Sequence, residues 1–354
     1  MRHESPDRTV KRIPTLDGWR GIAIAMVLFY HIQYAAMGRY ARPWTQTGRH
    51  GVTIFFVLSG FLITSNLIAG PIDLKRFYIR RVFRLMPAAW VFLGAALLTT
   101  HLTRLHFTSW AEVKACLLFY RNYCGNMDGN FAGHFWSLSI EEQFYLVWPC
   151  LLLFIGAQCC RWIAITAAIG IAFFRWSMWQ HYLGGLLPDR TEVRADALLV
   201  GCLLALFFSS ETVRERARHW SKLCALPAAS GLLLAILYFH LLQPLWESVC
   251  IAVLLAATML NPANTVSRVL SWKPLAWLGM VSYSLYVWQA PFMGFNLNPR
   301  MLAISVGFTL PLFALGSYYF IERPATLFGH RLTNARASKP ADLDISLIPI
   351  PETD

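Results

Sequence analysis

Leu16-Asp17-Gly18-Trp19-Arg20-Gly21-Ile22-Ala23-Ile24-Ala25-Met26-Val27-Leu28-Phe29-Tyr30-His31 is an apolar run with a guanidinium near its start and an imidazole at its end. On a helix, eleven positions put His31 about 16 Å above Arg20 and only about 20° around the axis, so both groups share one face. Half of a bilayer's hydrocarbon core is about 15 Å, so Arg20 at one interface leaves His31 near the midplane, where an unpaired polar group is costly. Something polar must meet that face. A neighbouring helix that hydrogen-bonds the ring is one solution, and a catalytic centre is the other.

Working outward, the composition is that of a polytopic membrane protein. Of 354 residues, 56% are hydrophobic and 14% charged, and the mean hydropathy is +0.45. Basic Arg2, Arg8, Lys11 and Arg12 precede the first apolar run, and no convincing small-residue cleavage site follows, so a retained anchor is expected. The formal charge of +12 concentrates in short connections, where it orients a chain in a bilayer and argues against a nucleic-acid partner.

The expected fold is all-α with about ten transmembrane helices. Their approximate positions are 17–36, 51–69, 83–100, 141–157, 162–180, 195–210, 223–241, 244–261, 275–295 and 300–321. With both termini inside, the inner segments carry roughly twice the Lys and Arg of the outer ones. The longest outer connection, about 101–140, contains Cys116 and Cys124, for which pairing is one option; the other six cysteines lack metal-ligand spacing, and no metal is assigned. Neither a glycine-rich phosphate loop nor a serine-nucleophile elbow is present. The tail from 335 is expected to be disordered.

Several polar residues need an explanation. Arg81 and Arg84 lie three apart on one side of a helical turn; they are either a positive-inside anchor for lipid headgroups or, with Arg20, an electropositive mouth for a phosphorylated donor. His134 to Tyr145 leads into a span with a histidine and two carboxylates. Glu142 reads as an ordinary helix-dipole complement, whereas Glu141 is a candidate to orient His31 or to bind an acceptor hydroxyl. Arg194 and Asp196 either pair with each other or contact the acceptor. Tyr283 and Tyr286 are packing residues or sugar contacts, and Glu322 is a snorkelled or paired helix-end residue.

Taken together, Leu16 to Gly21 with His31, Phe55-Phe56-Val57-Leu58-Ser59-Gly60-Phe61-Leu62-Ile63, the Arg81–Arg84 pair, Phe135 to Tyr145, Arg194-Ala195-Asp196, Ser282 to Trp288 and Glu322-Arg323-Pro324 resemble the acyltransferase 3 family of integral-membrane acyltransferases. The likeness runs from about residue 12 to 328, with 1–334 as the transmembrane domain and 335–354 as a cytoplasmic tail. It implies transfer of an acetyl or other short acyl group from cytoplasmic acyl-coenzyme A to a hydroxyl of an extracytoplasmic carbohydrate or related acceptor, in a plasma membrane of bacterial inner-membrane type, with no tightly bound cofactor. It also implies catalytic roles for His31 and Glu141, donor binding by Arg20, Arg81 and Arg84, and acceptor contacts from Asp17, His134, Arg194, Asp196, Tyr283 and Tyr286. Two positions depart from the pattern: Trp19 replaces a commonly aliphatic residue, and Gln289 stands where a histidine often follows the tryptophan. The rival reading is a transporter or exporter, because intramembrane charges also mark permeation paths.

Overall fold

A computed structural model describes residues 13–37, 47–103, 107–125, 131–181, 189–237, 244–293 and 298–334. The tail expected to be disordered lies outside them. Every regular element among the described residues is helical. The apolar run opens the molecule as α1 (Pro14–Met37), followed by α2 (Thr47–Ile68) and α3 (Leu74–Thr103). A short α4 (Trp110–Leu117) and a 3₁₀ turn at Arg121–Tyr123 lead to α5 (Phe135–Ile155), α6 (Ala157–His181), α7 (Thr191–Arg194), α8 (Asp196–Phe208) and α9 (Glu211–Leu237). The remainder is α10 (Pro244–Leu260), α11 (Thr265–Leu270), α12 (Lys273–Met280), α13 (Ser282–Phe292), α14 (Pro299–Ile304), α15 (Leu310–Ser317) and α16 (Arg323–Asn334), with π turns at Ser305–Thr309 and Tyr318–Glu322.

Five helices are long and apolar enough to cross a membrane, or six if the pair α8–α9, bent by 113°, is one span. Ten is therefore not reached by this measure. Part of the difference is length, since Leu223–Leu234 and Pro244–Leu260 are apolar but short; part is polarity, since α1, with Asp17, Arg20, His31 and Gln33, does not count by hydropathy, yet it packs against α2, α10, α11, α12 and α13. Protein rather than lipid lines its polar face, and hydropathy averages cannot see that.

Close helix approach fixes this packing. A Cβ added at Gly18 would stand 2.0 Å from the Leu270 carbonyl oxygen, and one at Gly279 only 1.8 Å from that of Asp17. Gly60 and Gly201 do the same for α2 and α8, where added Cβ atoms would lie 2.0 Å from Leu198 O and 2.1 Å from Val57 O. Small residues at crossings let backbones touch, which is how helices associate in lipid without a hydrophobic driving force between them. Around these contacts one core joins α1, α2, α3, α5, α8, α10 and α13, with Ala23, Ile24, Val57, Leu198, Ile251 and Leu255 almost fully buried. Trp19 is part of it, and its indole N–H donates to Thr258 Oγ1 at 3.0 Å, a bond no aliphatic residue could make.

Candidate active site

α1 carries the two ends of the site. At one end Arg20 Nη1 donates to Asp17 Oδ1 at 3.1 Å, one helical turn back. Asp17 is thus a partner of Arg20, and its role in acceptor contact has no geometric support at this end. Arg84 of α3 has Arg20, Arg81 and Glu322 as electrostatic neighbours, is exposed, and forms no ion pair among the described residues. Glu322 ends the second π turn and turns inward, accepting from Ser284 Oγ at 2.6 Å. Two guanidiniums, Arg20 and Arg84, beside this one carboxylate make an electropositive mouth suited to phosphate oxygens.

Arg81 is differently placed. Its Nε donates to Glu142 Oε1 at 3.1 Å and its Nη2 faces Glu141 Oε2 at 3.4 Å, while its guanidinium carbon sits 3.7 Å above the centre of the Tyr145 ring. Glu141 further accepts from Ser59 Oγ at 3.1 Å and Tyr145 OH at 3.2 Å. Two expectations change here. Glu141 does not touch His31 but joins α2, α3 and α5, and Glu142, read as a dipole complement, is buried and paired. Acidic residues at a span's start look alike in sequence whether solvated or turned inward. Only the facing arginine, some 60 positions away, distinguishes them.

At the other end of α1, His31 Nδ1 lies 2.8 Å from Val27 O, four residues back. A carbonyl only accepts, so Nδ1 must carry the proton, and the neutral ring therefore presents an unprotonated Nε2. That nitrogen makes no hydrogen bond among the described residues. Tyr30 meets the ring edge-on at 4.9 Å between centroids, and its own ring packs where a Cβ on Gly48 would fall at 2.7 Å. Beside Gly48, Arg49 pairs with Asp189 at 3.3 Å and His50 Nδ1 donates to Glu247 Oε1 at 2.9 Å. Arg194 also reaches Asp189, at 3.6 Å, and lies 5.8 Å from the Trp136 ring centre. Its Nε is buried and has no hydrogen-bond partner. Arg49, His50, Asp189 and Glu247 carried no motif, and sequence reasoning passed over them.

His134 is an electrostatic neighbour of His31. Its Nε2 donates to Val287 O at 3.1 Å, which leaves a buried Nδ1 without a hydrogen bond. Tyr286 OH donates to His134 O at 2.5 Å and meets Ser137 Oγ at 2.6 Å. Tyr283 OH donates to Leu85 O at 2.6 Å. Both tyrosine hydroxyls thus brace helices through backbone carbonyls. Asp196 needs the plainest correction: among the described residues it pairs not with Arg194 but with Arg175 of α6, which grips it bidentately at 2.7 and 3.1 Å in a buried pair. Gln289 is fully buried, and neither amide atom has a hydrogen-bond partner among the described residues. Cys116 and Cys124 are free thiols; burial pushes the Cys116 thiol up to about 12.

An imidazole at one end of a largely buried helix and clustered guanidiniums at the other, inside an apolar helical bundle, mark a functional site of a membrane protein. The chain belongs to the acyltransferase 3 family: the family's acyltransferase domain matches residues 13–321. The chain is 31% identical to the "Putative peptidoglycan O-acetyltransferase YrhL" of Bacillus subtilis and 29% identical to the "Peptidoglycan O-acetyltransferase OatA" of Listeria monocytogenes. Those alignments cover 92% and 89% of the chain and 56% of each relative. A "Putative O-acetyltransferase" of Staphylococcus aureus strain COL is 27% identical over 94% of the chain and 60% of its own length. The chain therefore spans little more than half the length of the curated relatives it matches. No solved structure matches it.

Proposed function

We propose that the protein transfers an acetyl or similarly short acyl group from acyl-coenzyme A to a hydroxyl of an extracytoplasmic carbohydrate. The names of the relatives make a peptidoglycan sugar the first acceptor to try. The donor enters at the Arg20 end, which we assign to the cytoplasm, with its phosphates on Arg20 and Arg84. Arg81, held by two carboxylates, shapes the mouth and contributes its remaining donors. The thioester then reaches along α1 toward His31, and the acceptor arrives from the side of Arg49 and Arg194, where the buried Arg194 N–H, unpartnered among the described residues, is the donor we assign to a sugar oxygen.

In the transfer, His31 Nε2 takes the proton of the acceptor hydroxyl as its oxygen attacks the thioester carbonyl. The new C–O bond forms, the C–S bond breaks, and the coenzyme A thiolate leaves and is protonated from the His31 imidazolium. Val27 O holds the ring in the tautomer this requires and stays bonded to Nδ1–H when the ring is charged. The observation that carries this reading is the one helix that displays a base of fixed tautomer about 16 Å from a guanidinium cluster.

The test is a stoichiometry. The full chain is reconstituted in vesicles with acetyl-coenzyme A inside and peptidoglycan fragments outside. One coenzyme A should be released for each acetyl ester formed outside, and neither should appear without the other. Passage of sugar or donor across the membrane with no ester formed would replace the enzyme by a transporter.

A further inference from the structure

Between α3 and the last helix lies an open groove of about 700 Å³, and nothing in the proposed transfer uses it. Its walls are Phe83, Pro87, Tyr319 and Phe328, and Arg323 and Arg331 stand along its rim. Both arginines are exposed, neither forms an ion pair among the described residues, and no carboxylate lines the groove. The π turn at Tyr318–Glu322 explains the arrangement. It swings Glu322 inward to Ser284, so Arg323, the next residue, points to the outside of the bundle.

The level of the groove follows from helix length. The continuous helical stretch Pro299–Asn334 has 36 residues, about 54 Å against a hydrocarbon core of about 30 Å. Part of it must therefore lie outside the hydrocarbon, and the exposed Arg323 and Arg331 mark the C-terminal turns as the part at headgroup depth. There Arg80 ties α16 to α3 through Thr333 Oγ1 at 2.8 Å and Asn334 Oδ1 at 2.7 Å. An aromatic groove opening toward lipid, topped by two unpaired guanidiniums at headgroup depth, complements one kind of molecule in shape and charge. We infer that it is a binding site for an anionic phospholipid, the phosphate held by Arg323 and Arg331 and the first part of an acyl chain lying against Phe83, Tyr319 and Phe328. The inference is independent of the acyl-transfer reading.

Native mass spectrometry of the full chain in a neutral detergent, titrated with phosphatidylglycerol or phosphatidylcholine, tests it. The wild type should retain phosphatidylglycerol at roughly thirtyfold lower concentration than phosphatidylcholine, since each of the two arginines near a lipid headgroup contributes about 1 kcal/mol. Arg323→Gln with Arg331→Gln should erase that preference, Phe328→Ala should weaken retention of both lipids, and the exposed Arg268→Gln should change nothing. Thermal melts of each variant within a few degrees of wild type establish that the fold is kept. Equal retention of the two lipids, or a preference that survives the double substitution, overturns the site. Displacement of the bound lipid by soluble coenzyme A overturns it too, by giving the groove to the donor's phosphates.

Discussion

The bond from His31 Nδ1–H to Val27 O decides what this ring can do, because it leaves Nε2 as the only nitrogen able to accept a proton. The same accounting separates the arginines. Arg81 is spent on Glu141 and Glu142, so Arg81→Gln leaves the buried Glu142 and the half-buried Glu141 without their shared cation and should cost about 3–5 kcal/mol, read as a large fall in thermal midpoint. Arg84 has no such commitment. Arg84→Gln should keep the midpoint within a few degrees while raising the KM for acyl-coenzyme A roughly tenfold, in line with a lost charge-assisted contact of about 1.5–3 kcal/mol. Equal losses of stability in both variants would contradict the distinction. At this scale the sequence displays Arg20 and His31 as a same-face pair because their spacing is local. It hides the partners, since His50 meets Glu247 across 197 positions and Arg81 meets Glu142 across 61.

Helices meet through glycines, and the sequence marks those glycines without saying what they touch. Gly279→Ala would drive a methyl into Asp17 O and push α12 off α1, displacing the Asp17–Arg20 pair. Gly94→Ala on α3, where a Cβ meets nothing within 4 Å, should instead gain about 0.5–1 kcal/mol from helix propensity. Chemical or thermal unfolding of the two variants checks the contrast: G279A well below wild type and donor binding weakened, G94A at or above it. Apolar periodicity made the long helices readable. The buried α1 and the bent α8–α9 pair were harder, because hydropathy measures transfer to lipid and these elements are surrounded largely by protein.

Across the whole molecule, charge is sorted into a guanidinium mouth at one end of α1, a polar cluster at the other, and sealed pairs between. The connection after α3 adds a pH-sensitive cap. Glu112, fully buried, accepts from Thr108 Oγ1 at 2.9 Å and Arg121 Nε at 3.2 Å. Burial raises its carboxyl pKa, and Thr108 and Arg121 offset this only in part. With the folded value above the unfolded one, the folded state holds the extra proton, so this contribution to stability is complete below the unfolded value and is lost as pH rises through the folded one. Hydrogen-exchange protection of residues 109–124, corrected for intrinsic rate, should fall as pH rises from about 4.5, and Glu112→Gln should flatten that fall. A rise with pH would reverse the assignment. The family pattern was legible from end to end because its motifs are short and ordered. The polar cluster at the His31 end was only partly legible: Arg194 lay in a motif, but Arg49, Asp189 and Glu247 come from separate segments that only folding assembles. The central claim rests on one nitrogen, and the single-turnover rate of acyl transfer by purified His31→Gln measures it most directly. With the thermal midpoint unchanged, the rate should fall on the order of 10²–10⁴-fold; a rate within twofold of wild type would contradict the account.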